Sequence, residues 1–130
     1  MSDTFASSFW WVDQLGLLAE RGHSVMIRQT LVGSDYGLLD DETLAPLPDY
    51  WVSLLWKQRM GAEVLEVWTD EPDVRLYAHC DATGAGVSFA VVQLGDGPVI
   101  LDFGSSVTAY RVEADDLAAR TIRLEAKNSR

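Results

Sequence analysis

Val25-Met26-Ile27-Arg28-Gln29-Thr30-Leu31-Val32-Gly33-Ser34-Asp35-Tyr36-Gly37-Leu38-Leu39, continued by Pro48-Asp49-Tyr50-Trp51, is the stretch on which the reading of this chain turns. A near-continuous apolar run over Ser24 to Leu31 predicts a parallel strand covered on both faces. The run then delivers Arg28, Gln29, Gly33, Asp35, Tyr36 and Gly37 into a long polar connection, the usual form of a ligand-facing loop on a rigid scaffold. Pro48-Asp49 opens a helix, with Pro at a first-turn position where its missing N–H costs nothing.

Working toward the N-terminus, Phe5, Phe9, Val12, Leu15 and Ala19 recur at helical spacing. Ser2-Asp3-Thr4 supplies N-cap candidates and Gly22 the stop. Trp10, Trp11, Leu17 and Leu18 make the rest of this helix apolar as well, so neighbours are expected on more than one side. Toward the C-terminus, the second helix ends near Gly61, and the period then changes from helical to alternating. Strands are expected at Val64–Trp68, Val74–Cys80, Val87–Val91, Pro98–Phe103, Val107–Val112 and Thr121–Glu125, with Gly95-Asp96-Gly97 as a hairpin signal. The tail Lys127 to Arg130 is polar and expected to lie outside the sheet. The change of character falls between Gly61 and Pro72.

The chain has 130 residues, 48% of them hydrophobic and 23% charged, an ordinary globular mixture of one-domain length. A net charge of -10 argues against nucleic-acid binding, which needs clustered Lys and Arg. One cysteine, Cys80, excludes an internal disulfide and a multi-cysteine zinc site. No stretch approaches the length of a membrane span, and the compartment is left open.

Three segments together resemble glycoside hydrolase family 79, the heparanase and β-glucuronidase family. They are Phe9-Trp10-Trp11-Val12-Asp13-Gln14-Leu15-Gly16-Leu17, Met26 through Leu39, and Pro48-Asp49-Tyr50-Trp51 with Leu54-Leu55-Trp56; beyond Thr69 the likeness rests on Arg75-Leu76-Tyr77-Ala78-His79-Cys80. The resemblance implies an α/β part plus an all-β part: residues 1–62 as the last helix–strand–helix of a (β/α)8 barrel, residues 63–130 as an incomplete antiparallel β-sandwich. It also implies a β-glucuronide-containing glycan as substrate, no cofactor, and a loop after Leu31 on the rim of the cleft. The family's Asn-Glu acid/base motif does not occur in this sequence. The nucleophilic Glu falls before the first helix, so no catalytic residue is assigned and the chain alone is expected to be inactive. Gln29 matches a cleft-facing family glutamine, Asp35-Tyr36-Gly37 falls on the segment that holds the sugar carboxylate, and Gly33 before it is a further binding candidate. Asp35 stands where the family has Asn, and a carboxylate there repels a uronate.

Each candidate has a plainer reading. Alternation places Arg28 on the face opposite Gln29, which favours an ion pair packed behind the strand. Asp35 and Tyr36 also suit a turn. Asp40-Asp41-Glu42 reads as a solvated acidic turn without EF-hand spacing. His79 and Cys80 point to opposite faces of a strand, so no metal is expected there, and His79 reads as a surface or hydrogen-bonded residue. Trp51 and Trp56 read as core. The alternative function is a stand-alone β-sandwich binding or interaction module. In either case the apolar helices and an unpaired strand favour self-association or pairing with a missing barrel segment.

Overall fold

The computed structural model describes residues 2–129. It is a mixed α/β structure of two helices and two antiparallel sheets, ordered α1 (Phe5–Glu20), α2 (Pro48–Arg59), β1 (Met60–Leu65), β2 (Val74–Asp81), β3 (Val87–Gln93), β4 (Val107–Glu113) and β5 (Arg123–Ser129). The strands form a β1-β2-β3 sheet and a separate β4-β5 ribbon.

Both expected helices are present. Thr4 is the N-cap of α1 but makes no side-chain cap. Instead the Phe5 and Ala6 N–H groups donate to Ala119 O (2.7 Å) and Leu117 O (2.9 Å), so the β4–β5 connection satisfies donors a helix start leaves open. At the other end Gly22 takes a φ of 82°, which only glycine adopts cheaply. The N–H groups of Gly22 and His23 donate to Ala19 O and Leu18 O, a Schellman closure.

The parallel strand expected over Ser24–Leu31 is not formed. Among the described residues no strand pairs with it, and a parallel strand is stable only between neighbours. The segment stays without regular structure and open to solvent, Val25 at 73% and Ile27 at 82% exposure. Pro98–Phe103 is likewise irregular. The Leu94 N–H donates to Asp73 O, and the Gln93 amide donates to Gly95 O (3.3 Å) and to Gly97 O, so the Gly-rich signal ends the ladder rather than turning into another strand. Phe103 reaches back only as a ring on Phe89, centroids 4.6 Å apart.

Two other boundaries move. β1 starts at Met60, directly from α2, and stops at Leu65, leaving Trp68 exposed. A register irregularity between Met60 and Val64 absorbs the change from helix to strand. β5 continues to Ser129, since Lys127 and Asn128 pair with Ala109 and Thr108, so the tail joins the ribbon through Ser129. Arg130 lies outside the described residues.

The core forms where the helices lie on β2. Tyr77 and His79 share the helix-facing side of that strand, Tyr77 over Gly16 of α1 and His79 edge-on to Trp56 of α2 at 5.3 Å. His79 is buried, with Nδ1 on Gly61 O at 2.7 Å, the hydrogen-bonded form of the sequence expectation. Between the helices sits Asp49, 2% exposed, accepting from Ser7 Oγ (2.8 Å), Ser8 Oγ (3.0 Å) and Arg28 Nη2 (2.5 Å). Burial pushes its carboxyl above the usual carboxylate range, while Ser7, Arg28 and Ser8 each pull it back.

Candidate functional site

Residues 29–37 leave the α1–α2 framework as one loop, and backbone bonds close its neck. The Leu38 N–H donates to Thr30 O (3.2 Å) and Leu31 O (3.1 Å), and the Leu39 N–H to Leu31 O (2.9 Å). Leu39 also bridges Pro46, and the Leu47 N–H donates to Leu38 O, which ties the loop to the start of α2. The sequence candidates are thereby brought together, Gln29 at the entry and Gly33, Asp35, Tyr36 and Gly37 around the turn.

Gln29, Asp35 and Tyr36 are exposed, Tyr36 at 57%. Gly33 has a φ of 98° and donates its N–H to Asp41 Oδ1 at 2.7 Å. The Tyr36 N–H donates to Ser34 Oγ (3.2 Å) and the Gly37 N–H to Ser34 O (2.8 Å). These three backbone donors are thus engaged inside the loop. The Gln29 amide, the Asp35 carboxylate and the Tyr36 side chain are left open to solvent. Gly37 is tight, since a Cβ would lie 3.0 Å from the carbonyl oxygens of Leu39 and Ser34 and the backbone would have to give by a few tenths of an ångström.

Arg28 turns away from this surface, as alternation implied. Its guanidinium pairs with Asp49, donates to Ser2 O (3.3 Å), and lies 5.0 Å from the Trp11 ring centroid and 5.6 Å from that of Trp10. Trp51 packs edge-on to Tyr50 and is half-buried, as is Trp56 under His79. Cys80 lies 3.5 Å from Glu63 Oε2; desolvation and that carboxylate push its thiol up. Among the described residues no cluster of His, Cys, Asp and Glu is arranged to hold a metal ion, and no helix is long and apolar enough to cross a membrane.

The acidic run after the loop is more organised than a solvated turn. Asp40 Oδ1 accepts from the Thr43 N–H (2.7 Å), the Thr43 hydroxyl (2.7 Å) and the Glu42 N–H (3.1 Å), while Oδ2 accepts from Arg120 Nη2 (2.7 Å). The Thr43 backbone and hydroxyl bonds, with smaller help from Glu42 and Arg120, hold its carboxyl down at about 2. A carboxyl depressed in the folded chain favours folding fully above its unfolded value, 3.8, and loses that contribution as pH falls through about 2. The 40–43 turn is therefore expected to persist at pH 4 and to open near pH 2. The Asp40 carboxyl carbon and the Thr43 amide, followed by NMR, should share one midpoint, and a carboxyl midpoint near 4 would contradict it. The holders Ser2, whose Oγ donates to Asp35 O (2.8 Å), and Arg120 had no signal in local spacing, because they lie 33 and 80 residues from their partners.

No family model matches the chain. Among curated proteins, Heparanase-like protein 1 of Arabidopsis thaliana is 50% identical over 97 residues, 74% of this chain and 18% of its own length. Heparanase of Rattus norvegicus is 47% identical over 83 residues, 62% of this chain and 16% of its own length. Baicalin-beta-D-glucuronidase of Scutellaria baicalensis is 39% identical over 93 residues, 71% of this chain and 18% of its own length. The chain thus spans less than a fifth of these relatives. By identity sustained over most of its length, it is related to the heparanase-like proteins of glycoside hydrolase family 79.

Proposed function

We propose that this chain is the C-terminal portion of a heparanase-like glycoside hydrolase acting on β-glucuronide-containing glycans. Residues 1–62 are the last helix–strand–helix of a (β/α)8 barrel, and residues 63–130 belong to its β-sandwich. The observation that carries this reading is the exposed, unpaired segment Val25–Val32 between two packed helices. It has the composition of a buried parallel strand and lacks strand neighbours among the described residues. The coverage of long relatives by a short chain supports the same reading.

In this arrangement the loop after Leu31 lies at the C-terminal end of a barrel strand, where such barrels bind substrate. Gln29 offers two donors and an acceptor to sugar hydroxyls, and Tyr36 offers a ring face and a hydroxyl. Asp35 disfavours a uronate placed directly against it and shifts recognition toward the hydroxyl groups. Acid/base and nucleophile come from elsewhere in the barrel.

The purified chain is expected to release no aryl alcohol from an aryl β-glucuronide above the buffer blank, because two positioned carboxyl groups supply this chemistry. It is also expected to self-associate in light scattering through the Val25–Val32 face. Turnover by the chain alone would overturn the assignment of catalysis to other segments. A monomer that unfolds cooperatively at every concentration tested would count against a barrel remnant.

A further inference from the structure

We propose that Arg120, on the β4–β5 connection, is a positioning residue that fastens the candidate sugar-contact loop to the start of α1. Its functional meaning rests on the reading of that loop given above; the fastening itself does not. Arg120 Nη2 meets Asp40 Oδ2 at 2.7 Å and Nε meets Asp3 Oδ2 at 2.9 Å, so one planar guanidinium joins carboxylates from two segments. The connection that carries it is anchored on α1 and braced by a turn of its own. Its Leu117 and Ala119 carbonyls accept the first N–H groups of α1, and Asp116 Oδ1 accepts the Ala118 N–H at 2.8 Å.

From Asp40 the constraint runs into the loop by contacts already described. Asp40 Oδ1 gathers the 40–43 turn, and the adjacent Asp41 accepts the Gly33 N–H at 2.7 Å. On the other side, Ser2 next to Asp3 holds Asp35 O at 2.8 Å and accepts from Arg28. Both shoulders of the loop are thus held at Ser2-Asp3, and Arg120 supplies the charge that closes the second. A lysine is a poorer substitute, because its ammonium is a flexible point charge without the planar fork that directs Nε and Nη2 to the two carboxylates.

The test is amide hydrogen exchange in the 130-residue chain and in its R120Q and R120K variants. In R120Q the Gly33, Glu42 and Thr43 amides should exchange about two- to five-fold faster, the range an exposed ion pair controls. The Tyr77 and Ala90 amides of the β2–β3 ladder should stay unchanged. R120K should fall between, and about 1 M salt, where the Debye length is about 3 Å, should bring the parent to the rates of R120Q. Unchanged loop exchange in R120Q, or a rise shared equally by the ladder, overturns the proposal. Titration with methyl β-D-glucuronide separates the sugar reading. Failure of the parent to show shifts at Gln29–Gly37 overturns that reading alone, with the fastening decided by exchange; equal affinity in parent and R120Q overturns the positioning role.

Discussion

Replacing Asp49 by alanine is expected to destabilise the chain by about 3–5 kcal/mol, the cost of leaving a buried charge without its partner. The Arg28 side chain is 9% exposed, and among the described residues its Nε has no hydrogen-bond partner even in the parent. Without Asp49 its Nη2 is left, among the described residues, with the 3.3 Å contact to Ser2 O. Ser7 and Ser8 lose their side-chain acceptor at the same moment, although Ser7 keeps the Thr4 carbonyl at 2.8 Å. Such a loss is a large part of the stability of a small domain, so D49A is also expected to lose the α1–α2 packing first. Five tryptophans, of which Trp10 and Trp11 lie against Arg28, make fluorescence-detected urea unfolding a direct readout.

The double variant R28M/D49L separates charge burial from packing. Removing both charges and keeping apolar volume is commonly neutral or stabilising, whereas removing one is not. R28M/D49L should therefore be more stable than D49A, although Ser7 and Ser8 still lack their carboxylate. If D49A shifts stability by less than about 1 kcal/mol, the magnitude of an exposed pair, the hub described here is not buried in solution.

The parts of this fold that were legible in the sequence are those whose signals are local. α1 was readable from its spacing and Gly22, α2 from Pro48, and the β2–β3 pair from alternation over Val74–Cys80 and Val87–Val91, because each signal and its structural consequence lie within a few residues. The ion pair of Arg28 is present although the strand whose alternation suggested it is not, because Asp49 at the start of α2 fixes it. Val25–Leu31 failed as a strand for a different reason. A β-branched apolar run reports a preference for burial between neighbours but does not supply them, and the described residues do not. Pro98–Phe103 failed because Gln93 and Asp73 take up the turn that would have returned it. For the site, turn chemistry was enough to place Gly33, Asp35, Tyr36 and Gly37 on one loop. The engagement of three of its N–H groups, and its attachment through Ser2 and Arg120, depend on contacts remote in sequence.

Gly16 offers a second large effect, and here two magnitudes oppose each other. Alanine in place of glycine inside a helix is worth about 1 kcal/mol in favour of folding. A Cβ at this position, however, would stand 2.2, 2.3 and 2.4 Å from three carbons of the Tyr77 ring, where carbon atoms pack best at about 3.5–4.0 Å. The ring cannot withdraw easily. Tyr77 is 5% exposed, sits on the central strand β2 between β1 and β3, and donates its hydroxyl to Asp13 Oδ1 at 2.6 Å. Burial, together with that carboxylate, pushes the phenol up, so the hydroxyl keeps its proton and remains the donor at neutral and mildly alkaline pH. Overpacking of a well-filled core costs about 1–3 kcal/mol and sometimes more, so G16A should be less stable than the parent in urea unfolding despite the better helix propensity. The same substitution made in a Y77A background should reverse sign. With the ring gone the three atoms nearest the added methyl are removed, and G16A/Y77A should match or exceed Y77A by up to about 1 kcal/mol. Equal effects of G16A in the two backgrounds would mean that α1 does not rest on Tyr77 in solution, because independent sites add and touching ones do not.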